Sequence, residues 1–106
     1  MAWLFLSVAV ILEVVWAVSL KATQGFTRLW PSVLNVTAMG VNLYFLAQAF
    51  KVLPVGTAYT IWTGLGAVGV VILGILIYHE AAHPLRLFFV LLIIAGVVGL
   101  RWITPG

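Results

Sequence analysis

The chain has 106 residues, is 65% hydrophobic, and carries only 7% charged side chains with a net charge of +3. A soluble domain carries about 25% charged residues, so this composition excludes a water-facing surface and predicts an all-α integral membrane protein. The basic residues are scattered singly, which gives no grip for nucleic acid, and the absence of cysteine excludes disulfides.

A spanning helix needs about 20 mostly apolar residues. Four runs meet that need, at about 2–20, 32–50, 55–77 and 85–103, and together they form a single membrane domain, residues 1–106. Charges and prolines mark the breaks: "KATQGFTRLWP", "KVLP" and "YHEAAHP".

The first span holds Glu13 near its middle. It lacks a basic start, so it does not read as a cleaved signal peptide. An acidic residue at a helix centre costs roughly 2.5–3.5 kcal/mol to insert and is tolerated when it faces the bundle interior or a watery cavity. Helical spacing puts Leu6, Ala9, Val10, Trp16, Ala17 and Leu20 on the same face. A neutral glutamic acid joining helices is the plain structural reading. The functional one is a site that holds a proton or a cation, whichever competes better. No other carboxyl lies deep in a span, so Glu13 has to carry any proton coupling.

The second span places Asn42 mid-membrane, with Asn35 one heptad earlier on the same stripe. "NVT" at 35–37 matches a glycosylation acceptor, but it lies inside the span. In the third span Tyr59, Trp62 and Thr63 share a face. Trp62 is several residues inside, where a site role outweighs an interfacial one. Trp3, Trp30 and Trp102 lie near span ends and read as interfacial belt residues. Aromatic rings beside a carboxylate suit a small organic cation.

"GLGAVG" at 64–69 weakens the third helix, so Gly64 and Gly66 are candidate hinges. Gly56, Thr60 and Gly64 form a ridge of small residues, as do Ala95 and Gly99 in the fourth span. Close packing is the plain reading of both ridges.

"HEAAH" at 79–83 spells a zinc-protease motif. Catalytic zinc needs three protein ligands. The chain has two histidines and no aspartate or cysteine, and its other glutamate is in mid-span. Pro84 also pulls His83 away from helical geometry. No metal site and no enzyme are expected. The segment reads as a hydrated connection.

The loop charges barely set an orientation. With the N-terminus inside, Lys51 and Arg101 lie inside while Lys21, Arg28 and Arg86 lie outside. Four short helices are also too few to wall off a pathway. An antiparallel pair of chains satisfies both observations and places two Glu13 side chains near the midplane.

"EVVWAVSLK" at 13–21, "LPVGTAYTIWTGLGAVG" at 53–69 and the Glu80–Pro84–Arg86 pattern resemble the small multidrug resistance family over essentially the whole chain. Trp16 and Thr57 make it most similar to the guanidinium-exporter branch. The resemblance implies a dual-topology antiparallel homodimer in the bacterial cytoplasmic (inner) membrane. It implies proton-coupled export of a guanidinium-like cation by alternating access, with protons as the coupling ion and no further cofactor. Glu13 matches the shared carboxylate, and Trp16, Tyr59 and Trp62 match site positions. Two positions depart from the branch: Asn42 stands where serine is usual, and Val10 where glycine is usual. The alternatives are export of hydrophobic quaternary ammonium ions, which lack N–H donors and need apolar room, and an accessory role beside a second small membrane protein.

Overall fold

The computed structural model describes residues 1–104 as four helices: α1 (Ala2–Ala22), α2 (Leu29–Phe50), α3 (Val55–Tyr78) and α4 (Pro84–Ile103). All four are long and apolar enough to cross a membrane. They match the expected spans within three residues at each end. α1 runs two residues further, through Lys21 and Ala22, and α2 begins at Leu29 because Pro31 falls in its first turn. A proline there removes an N–H that has no helical partner anyway. Pro84 opens α4 for the same reason.

The helix ends are closed by specific contacts. Buried Thr23 donates its hydroxyl to the Leu20 carbonyl at 2.7 Å and accepts from the Phe26 amide at 3.1 Å. α3 stops at His79, whose φ of 56° is left-handed and turns the chain. His83 Nδ1 then accepts from the Leu85 amide at 3.1 Å and caps α4. The 79–83 segment is therefore not helical, which removes the one-face geometry a helical HExxH depends on. Glu80 pairs with Arg86 at 2.9 Å, and Arg86 also donates to the Ala81 carbonyl.

α1 packs against both α2 and α3, while the α4 backbone packs against α3 alone. α2 and α3 also touch lightly, so α1 nests between them and α4 lies on the outer side of α3. The described chain measures 43 × 35 × 16 Å. A single helix is about 10–12 Å across, so the chain is less than two full helices deep. Buried residues concentrate along α1 and its two neighbours. In α4 only Val90 and Val97 are buried. Outward-facing apolar residues such as Ile11, Leu34, Leu76 and Phe89 suit contact with lipid.

Candidate functional site

The central position of α1 brings Glu13 between α2 and α3. Asn42, completely buried on α2, donates Nδ2–H to Glu13 Oε1 at 3.1 Å. Trp62, buried on α3, donates Nε1–H to Asn42 Oδ1 at 3.0 Å. Three residues from three helices thus form one chain of hydrogen bonds. The order of atoms is dictated by chemistry. An indole can only donate, so Trp62 must face the amide oxygen. That turns the amide nitrogen toward Glu13, and Glu13 Oε1 has to be an acceptor. Glu13 Oε2 has no hydrogen-bond partner among the described residues.

Gly66 makes this approach possible. A Cβ built there would lie 2.9 Å from Glu13 Cγ. One turn along, a Cβ at Gly69 would meet Val14 Cγ2. α1 therefore rests on bare backbone of α3. Gly64 faces the other way, toward Val97 Cγ2 of α4, where an added Cβ would sit at 3.0 Å. α3 runs unbroken through all of these glycines. In this conformation they are points of close contact. The ridges of small residues are only partly used, since a Cβ at Gly56 or Gly99 would meet nothing within 4 Å.

The other expected site residues take separate places. The Tyr59 ring packs at a tilt on Trp62 with centroids 5.6 Å apart and is half exposed. Tyr59 thus borders the chain of hydrogen bonds without joining it. Trp16 is partly buried on α1. Its backbone carbonyl accepts from Asn35 Nδ2 at 2.7 Å and from the Ser19 hydroxyl at 3.1 Å. Asn35 also donates to Ser19 Oγ at 3.1 Å. The two asparagines of the α2 stripe therefore differ in kind: Asn42 serves the carboxyl, and Asn35 bolts α2 to the α1 backbone.

These features describe a class: a small multi-pass membrane protein that holds one carboxyl at mid-span by one oxygen. Residues 1–93 match the family model described as Small Multidrug Resistance protein. The chain is 57% identical over 98% of its length to a protein of Escherichia coli O6:H1 named Guanidinium exporter, covering 99% of that relative. It is 55% identical over 95% of its length to a Salmonella typhimurium protein of the same name, covering 96% of it. A Citrobacter freundii protein, again so named, is 53% identical over 98% of the chain and 99% of its own length. The chain belongs to the Small Multidrug Resistance family.

Proposed function

We propose that the chain is a proton-coupled antiporter that exports guanidinium or a related small organic cation by alternating access, working as an antiparallel homodimer in the bacterial inner membrane. The observation that carries this reading is the Glu13–Asn42–Trp62 chain, which holds Oε1 and leaves Oε2 unpartnered among the described residues. The curated relatives named for guanidinium export support the choice of cargo.

The chemistry follows from the two oxygens. Oε1 accepts from Asn42 in either state, so the proton sits on Oε2. A guanidinium also binds there, through an N–H donor and its charge. The two cannot occupy Oε2 together, which couples entry of a proton to exit of the cation. Trp62 and Tyr59 offer ring faces beside the carboxyl for the cation's flat surface. Trp16 lines the same face of α1. Gly64 and Gly66 are the points where α3 bends or slides as the site changes sides. A second antiparallel copy supplies the layer that one thin chain lacks.

The test is transport by the purified chain in proteoliposomes under a proton gradient, with guanidinium, alkylguanidinium and tetraalkylammonium ions. Guanidinium uptake is expected without any second protein. Uptake of tetraalkylammonium ions but not guanidinium identifies a drug-type exporter instead. Activity only after adding a second membrane protein identifies an accessory subunit.

A further inference from the structure

A second feature lies at the other end of α1. A cavity of about 800 Å³ opens between α1 and α4, with α3 as its floor. Trp3, Arg101 and Trp102 stand at its mouth, and Leu6, Leu65 and Val97 are among the residues that line its interior. Glu13 does not line it. Because the α4 backbone touches only α3, the stack of Arg101 on Trp3 reaches across the gap to α1, with the guanidinium carbon 4.1 Å from the ring centre.

The mouth is rich in donors, and among the described residues no carboxylate lines the cavity. Stacking uses the face of the guanidinium and leaves its in-plane N–H groups available. No described residue accepts from Arg101. Trp3 Nε1 is buried and also has no acceptor. The chain contains only two acidic side chains. Glu13 is at mid-span on Asn42, and Glu80 is held by Arg86 at 2.9 Å. A second copy brings only the same two.

We propose that this cavity is a binding site for an anionic phospholipid, with the phosphate on Arg101 at the mouth and an acyl chain along the apolar interior. Basic pockets between membrane helices select anionic head groups by this combination of charge and apolar room. A free phosphate satisfies Arg101 but leaves the interior unfilled. The apolar walls continue inward for about two helical turns from Trp3 to Val10, roughly 10 Å at 1.5 Å per residue. That shape fits a tail under a head group. Leu6 and Val10 share the Glu13 face of α1, but Glu13, Asn42 and Trp62 do not line this cavity.

Native mass spectrometry of the purified full chain tests it, with phosphatidylglycerol, phosphatidylcholine and inorganic phosphate as probes. Wild type is expected to retain phosphatidylglycerol about tenfold more tightly than phosphatidylcholine, the size of one hydrogen bond to a charged group. Arg101→Gln should erase that preference, and Arg101→Lys should keep part of it. Arg28→Gln, an exposed cation away from the cavity, should leave it unchanged. Val97→Phe should expel the lipid by filling the interior with no change in charge. Should that variant fail to fold, the arginine pair still decides. Equal retention of the two lipids by wild type overturns the proposal. So does an equal loss in Arg28→Gln, or full displacement of phosphatidylglycerol by inorganic phosphate. If Arg101→Gln separates copies of the chain and leaves lipid retention intact, the cavity belongs to a protein contact and the proposal falls.

Discussion

Gly66 lets the root of the Glu13 side chain lie against bare backbone, with only 2.9 Å between Glu13 Cγ and the place a Cβ would take. Gly66→Ala must therefore push the carboxyl or spread α1 from α3. Overpacking of this kind costs about 1–3 kcal/mol of fold stability, and cation affinity is expected to fall because the carboxyl is displaced. Gly40→Ala, where an added Cβ meets nothing within 4 Å, is the matched control. Titration of guanidinium against both variants checks this. Equal affinities mean that α3 yields without moving Glu13.

Glu13→Gln should abolish proton-driven transport while the chains still assemble. The amide is nearly isosteric but cannot take up or release the proton. In wild type the apparent affinity for guanidinium should weaken as pH falls, because protons fill the oxygen that the cation needs. In the variant any residual binding should be flat with pH. Uptake by the Gln variant at the wild-type rate removes Glu13 from the coupling.

Asn42→Ala strips Glu13 of its donor and Trp62 of its acceptor in a single change. A buried hydrogen bond to a charged group contributes about 1.5–3 kcal/mol, so guanidinium affinity should drop by about tenfold or more. Bulky quaternary ammonium ions should lose less, because the cavity widens and they make no hydrogen bonds. The ratio of the two affinities at one pH is the measurement. A common loss for both ions means that Asn42 does not tune selectivity.

Replacing both histidines should leave transport intact. His79→Gly suits its left-handed φ of 56°, and His83→Ser keeps an N-cap acceptor for α4. Alanine at position 83 instead should lower stability by about 0.5–2 kcal/mol, the usual worth of an N-cap. Transport and thermal unfolding of the two double variants separate these effects. A loss of transport restored by zinc would revive a metal role.

The two orientations should coexist in one membrane. The chain has no native thiol, so a single exposed cysteine at Gln24 reports its side cleanly. Impermeant reagents should label it from both faces. Labelling from one face alone contradicts an antiparallel pair.

The four helices were legible because each apolar run is bounded by charges and prolines, and lipid punishes any other backbone arrangement. Glu13, Asn42 and Trp62 stood out because polar groups at that depth are expensive without partners. Their order was not legible. Spacing along one helix does not give the rotation of its neighbours, so nothing in the sequence says that Trp62 reaches Glu13 through Asn42. Asn35 illustrates the same limit. It shares a stripe with Asn42, yet a shift of two turns along α2 brings it to the Trp16 carbonyl instead of a carboxyl. Trp3 read as a belt residue from its position near a span end. Its stack with Arg101 joins positions nearly a full chain apart, and no local pattern records that.

The thinness of the chain has a consequence for abundance. With a depth of 16 Å, one chain has no second layer to close over Glu13. Under the proposed pairing, a membrane that holds few copies holds mostly single chains, and each should contribute little export. As copies accumulate, encounters in the plane of the bilayer complete more sites. Export per chain should rise with expression and then level off. Under the same pairing, the amount of a single short polypeptide should set export more steeply than in proportion.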